Sequence, residues 1–204
     1  MNMKTKQKLR AAQKLENFAA LREKFAAAGW SDEELTISVV KANVQACALA
    51  APFWALFLVL FAHRASLRIS FDLVETVLFC LLYIASIPVH EGLHGLFWRM
   101  SCEHGWKSIQ FGVMEMLTPY CHCMEPLKKA RYLLGAFAPL VLLGLLPSIL
   151  AVFSANVFLL WFGLFGIVSA GGDMAIGMLL LKSKADLFLD HPTKCGFLAV
   201  YQEN

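Results

Sequence analysis

The chain has 204 residues, of which 58% are apolar, with a mean hydropathy of +0.59 and a formal net charge of +3. Soluble globular proteins are about 45–50% apolar, and the excess here lies in long runs, so the composition describes one integral membrane domain rather than a soluble one. The small charge gives no case for nucleic acid as a partner, and the charged N-terminus lacks the apolar centre of a cleavable signal peptide.

In chain order, residues 3–28 carry Leu9, Leu15, Phe18, Leu21 and Phe25 at helical spacing, and Gly29 ends the stretch. Ser31-Asp32-Glu33-Glu34 then reads as a second helix start, with Ser31 as the cap and Glu34 three residues on. Residues 1–40 are expected to form an amphipathic, cytoplasmic helical segment, either on the inner leaflet or as a solvated or partner-binding cap. Residues 41–204 hold the apolar runs. Spans are expected at about 44–61, 73–98, 132–153 and 157–181, each near the 20 or so residues a bilayer requires. Pro88, inside the second, predicts a local kink or widening. Gly163, Gly166, Gly171, Gly172 and Gly177 in the fourth permit close helix packing. Between the second and third spans lies an insert, 101–130, too polar to cross. The tail from Lys182 contains a short strand-like run, Gly196–Tyr201. The expected fold is therefore all-α, with four transmembrane helices and a short strand-like insert, cytoplasmic or re-entrant. Lysine and arginine cluster before the first span, in the insert and in the tail, which places both termini and the insert in the cytoplasm of a multi-pass cell-membrane protein. Cys47, Cys80, Cys102, Cys121, Cys123 and Cys195 match neither a disulfide framework nor a Cys-x-x-Cys zinc site, and read as reduced thiols.

The chemistry is concentrated in His90-Glu91-Gly92-Leu93-His94, near the cytoplasmic end of the second span. H-E-x-x-H on a helix places two imidazoles on one face, one turn apart, where both can ligate one zinc ion, with the glutamate free to act as general base. Ionisable groups inside an apolar run are costly and functional by default. A catalytic zinc takes three protein ligands. Asp173 is the only acidic residue of the fourth span and lies at a depth similar to His94, which makes it the candidate third ligand. Asp186, Asp190 and His191 in the tail are the alternatives. Within the insert, residues 111–123 look like a strand that could present an edge to an unwound substrate. Cys121, His122 and Cys123 offer metal-binding atoms, but at a spacing better suited to a structural role.

These residues resemble a small bacterial family of zincin-type membrane peptidases, related in logic to the site-2 proteases. The resemblance covers roughly residues 70–201. It rests on His90–His94, on His122-Cys123-Met124-Glu125-Pro126-Leu127 leading to Ala138-Pro139-Leu140, on Gly172-Asp173-Met174, and on Asp190 with Gly196–Tyr201. It implies a zinc site with His90 and His94 as ligands, Glu91 as base, and Asp173 at the position of the aspartate that completes the site in site-2 proteases. The asparagine motif of the site-2 third span has no counterpart here. The expected activity is zinc-dependent hydrolysis of a peptide or membrane-protein substrate in or beside the bilayer. The alternative is a non-hydrolytic metal-binding scaffold or regulator of a membrane partner. Glu91 distinguishes the two, because a structural metal needs no base. A metal transporter would need a polar path through the outer half of the bilayer, where only Asp72 and Glu75 are acidic.

Overall fold

The computed structural model describes residues 3–67, 71–113 and 118–202. The chain is mostly helical. After α1 (Met3–Ala27) and β1 (Trp30–Ile37) come two long apolar helices, α2 (Val39–Ala62) and α3 (Leu73–Arg99). Ser38 caps α2 by accepting the Lys41 N–H. Asp72 and Glu75 start α3 with a reciprocal capping box, Glu75 N–H to Asp72 Oδ1 at 2.8 Å and Asp72 N–H to Glu75 Oε2 at 3.1 Å. A 3₁₀ turn (Gly105–Ser108), β2 (Ile109–Val113), β3 (Pro119–Cys123) and β4 (Leu127–Lys128) form the polar insert. Then α4 (Lys129–Pro139) passes through a π-helical segment, Leu140–Leu145, into α5 (Leu146–Ser154). The remainder is α6 (Val157–Ser169), α7 (Gly171–Lys182), β5 (Leu187–Asp190) and β6 (Cys195–Gln202).

Three helical stretches, 39–62, 73–99 and 129–154, are long and apolar enough to cross a membrane, and α6 with α7 make a fourth if counted together. None of the most apolar 18-residue window of α3 is buried inside the protein, so Leu73, Leu78, Leu81 and Ile84 face outward. An outward apolar surface of this extent is the kind that another apolar phase covers.

Sequence and structure part in several places. The expected all-α fold is instead mostly helical with two small sheets. One is four-stranded, in the order β1-β6-β5-β4, and the other is the β2-β3 hairpin. The helix start expected at Ser31 is strand β1, paired antiparallel with β6 from Trp30↔Gln202 to Ile37↔Cys195. Its partner lies far downstream, so no local pattern reveals the pairing. Pro88 lies within uninterrupted helix, and the widened turn falls after Pro139 instead. The fourth run is not straight. It bends by 48° between α6 and α7, at Ala170.

The four-stranded sheet joins segments from before α2, from before α4 and from after α7. These three segments therefore lie at one end of the helical bundle. Under that sheet Trp98, Leu127, Tyr132, Phe188 and Phe197 form one core, and Phe57, Phe61, Leu140, Leu160, Leu164 and Ile167 form a second between the helices. Phe18, Leu21 and Phe25 of α1 cover the sheet's remaining apolar face at Leu189, Leu198 and Val200.

Candidate metal centre

The bend at Ala170 puts Asp173 in the first turn of α7, where the helix dipole favours an acidic side chain. Of the two glycines beside it, one makes the close packing that the sequence permits. A Cβ at Gly171 would fall on Ala46 of α2, so this glycine brings α7 onto α2 rather than onto α3, and a Cβ at Gly172 would meet nothing. The carboxylate nonetheless reaches both histidines of α3. Asp173 Oδ2 is 3.0 Å from His90 Nε2, and Oδ1 is 3.3 Å from His94 Nε2. The histidine rings are 4.9 Å apart at 73°.

Ligand atoms of His90, His94 and Asp173 all lie within 4.8 Å of one another, and no other such group of three occurs among the described residues. Two tetrahedral ligands about 2.1 Å from one zinc ion stand roughly 3.4 Å apart, so the separations here suit a shared ion with little movement. The donor set, two imidazoles and a carboxylate, is one that zinc accepts. The outer partners fit as well. A carbonyl can only accept, so His94 donates Nδ1–H to Gly135 C=O at 2.8 Å, which leaves Nε2 for the centre. His94 is 4% exposed, and Trp98 stacks on it at 5.2 Å.

Glu91 is not one of the three clustered groups. Its carboxylate faces the backbone N–H of Cys121 on β3. The hairpin register explains why that N–H is available. Met124 N–H bonds Ser108 C=O at 2.8 Å, so 110↔122 and 112↔120 are the hydrogen-bonded pairs, while Cys121 and Cys123 turn their amides outward. Cys123 N–H goes to Asp190 Oδ2 at 3.1 Å. The strand-like insert is thus a hairpin whose β3 edge lies against the motif. Its turn, 114–117, with Glu115, falls outside the described residues.

Asp190, weighed as an alternative ligand, does other work. It accepts Nδ1–H of the buried His122 at 3.1 Å and the Tyr132 hydroxyl at 2.8 Å. Tyr132 C=O in turn accepts Trp98 Nε1–H at 3.1 Å, so the network runs back to the ring stacked on His94. His191 meets Glu34, and Asp186 accepts Gln202 N–H. Cys121, His122 and Cys123 do not converge on one point. Burial pushes the Cys121 thiol up, with Asp190, Glu91 and Asp173 adding to it, so the thiol stays neutral. The Cys123 thiol donates to Glu125 C=O at 3.4 Å, with Cys102 Sγ 3.3 Å away.

His90, Glu91, His94, Asp173, His122 and Asp190 all line one cavity of about 560 Å³. Lys14 of α1 lines it too, and nothing in its sequence position among the basic residues before the first span signals that role. A family model described as putative zincin peptidase matches residues 83–188, which include all six of the former except Asp190. No curated protein and no solved structure matches the chain.

Proposed function

The chain belongs to the putative zincin peptidase family, and on that premise we propose that it is a zinc-dependent metallopeptidase that hydrolyses peptide bonds in or next to a membrane. His90 Nε2, His94 Nε2 and a carboxylate oxygen of Asp173 would hold the ion. Three ligands are the catalytic number, since structural zinc sites are closed by four. Bound zinc supplies Lewis acidity, polarising a carbonyl oxygen and lowering the pKa of water. Glu91 takes the proton of the attacking water and returns it to the leaving amine. The outer edge of β3, at Cys121, pairs with the extended substrate and satisfies backbone groups freed by unwinding.

The observation that carries this reading is the Asp173 carboxylate set between the two imidazoles, with Glu91 beside them in the same cavity. Membrane placement is supported by the outward apolar faces and by the joining of three segments at one end of the bundle, which four crossings satisfy and three do not. The clustering of basic residues at that end supports reading it, with the metal centre near it, as the cytoplasmic side of a cell-membrane protein. The test is cleavage of a reporter transmembrane peptide by the purified protein. Chelation abolishes cleavage and zinc restores it. Cleavage that survives complete metal removal overturns the proposal.

A further inference from the structure

Lys14 sits midway along α1 with its side chain turned into the cavity that holds Glu91 and Asp173. It is 5% exposed. Lysine is almost never so buried without an acidic partner, because an unpaired ammonium gives up its hydration for nothing. Among the described residues no carboxylate pairs with it. Its partners are two neutral oxygens, the Tyr120 hydroxyl at 2.8 Å and Pro192 C=O at 2.9 Å, together with the Tyr120 ring at 4.1 Å. An ammonium has three protons, and these oxygens take two. Lys194 on the same lining is different, since Glu34 already neutralises it.

Glu91, Asp173 and Asp190 also line the cavity. Apart from a metal ion held by His90, His94 and Asp173, the Lys14 end is where the lining itself offers a cation without a carboxylate partner among the described residues. That end is close to the chemistry. Tyr120, which holds Lys14, immediately precedes Cys121, whose amide faces Glu91, and neighbouring strand residues are about 3.3 Å apart along the strand.

We propose that Lys14 is the recognition site for a substrate carboxylate, so that the cavity selects peptides carrying a C-terminal α-carboxylate or an Asp or Glu side chain near the bond to be cut. This rests on the peptidase reading for its substrate and extends it to a substrate class. A single ammonium with one free proton matches a monoanion.

The test reads binding rather than turnover. Full-length protein in detergent micelles, carrying Glu91→Gln, is titrated with dye-labelled Ala-Ala-Phe-Leu as the free acid, as the carboxamide, and as the carboxamide with Glu in place of Phe. With Lys14 present, at least one carboxylate form binds about tenfold tighter than the plain carboxamide, the gain expected of one charge-assisted contact. The form that gains identifies the source of the carboxylate. Lys14→Gln keeps a donor for Tyr120 and Pro192, so it erases the preference and leaves carboxamide affinity unchanged. Lys14→Arg keeps the charge and retains the preference. Equal affinity for all three peptides, no binding by any of them, a preference that survives Lys14→Gln, or equal losses in the Gln and Arg variants would each overturn the proposal. A carboxylate preference in a protein that cleaves nothing would remove the peptidase reading alone. Cleavage without such a preference would remove only this inference.

Discussion

His94 and Gly135 form a unit. The Gly135 carbonyl accepts Nδ1–H of His94 at 2.8 Å, while the missing side chain at Gly135 leaves the space filled by the Trp98 indole, which stacks on the His94 ring. One residue of α4 thereby fixes both the tautomer and the tilt of an imidazole on α3.

Gly135→Ala is therefore expected to act on the metal centre without touching a ligand. Its Cβ would land on the Trp98 ring. Loss of an outer partner typically costs 10–100-fold in metal affinity, and a weakening of about that size is expected. Competition with a chelating dye measures it. An unchanged affinity would mean that Trp98 moves aside and His94 does not depend on it.

Metal content separates ligands from base. The wild-type protein should carry about one zinc per chain, and His94→Ala and Asp173→Ala should lose it. Glu91→Gln should keep its zinc and lose hydrolysis by about 10²–10⁴-fold, the usual contribution of a general acid–base group. Zinc retained in full by both ligand variants would dissolve the assignment, as would normal turnover by Glu91→Gln.

Proline distinguishes the two strands of the hairpin. The Cys121 amide points out of the β2-β3 ladder towards Glu91, so Cys121→Pro breaks no ladder bond while removing the donor that faces Glu91 on the proposed substrate edge. It should impair cleavage at least tenfold with zinc retained, and Cys121→Ala should be mild. Val113→Pro, on the far strand and outside the cavity lining, should cleave nearly normally. Similar rates for Cys121→Pro and wild type would make the hairpin a cover and not a template.

Glu125 should set an acid limit on the insert. Burial raises its carboxyl pKa, but the Ser108 hydroxyl, the Glu103 and His104 amides and the His104 ring outweigh this and hold it at about 2. A carboxyl depressed in the folded state stabilises it fully above its ordinary value of 4.5, and that contribution vanishes as the pH falls through about 2. The difference in melting temperature between wild type and Glu125→Gln should thus be constant above about pH 4.5 and shrink towards pH 2. A difference that does not change over that range would show that these contacts are not coupled to ionisation.

The parts of the site readable in the sequence are those with local signatures. His90 and His94 share a helix face because four residues make about one turn, and Asp173 stands out as an acid in an apolar run. The His122–Asp190–Tyr132 network could not be read, since a hairpin, the end of a strand and a helix bring its members together from three parts of the chain. β1 departs from the sequence expectation for a related reason. Ser-x-x-Glu suits a helix cap, but the backbone of residues 30–37 is claimed by β6, and Glu34 is drawn to Lys194 and His191. The bend at Ala170 arises where α7 settles on Ala46 of α2, a contact with no trace in the composition of residues 157–181.

The pairing of β1 with β6 also imposes an order of events. Trp30 meets Gln202 and Ile37 meets Cys195, so during synthesis β1 emerges before any of the long apolar helices and waits until all of them have been made. Closing so long a loop is entropically costly and slow compared with helix formation. The histidines and Asp173 are synthesised well before the sheet can close, so a nascent chain halted ahead of Cys195 would hold all three candidate ligands yet lack the strand that completes the sheet. Completion of the sheet is in this sense timed by its last strand.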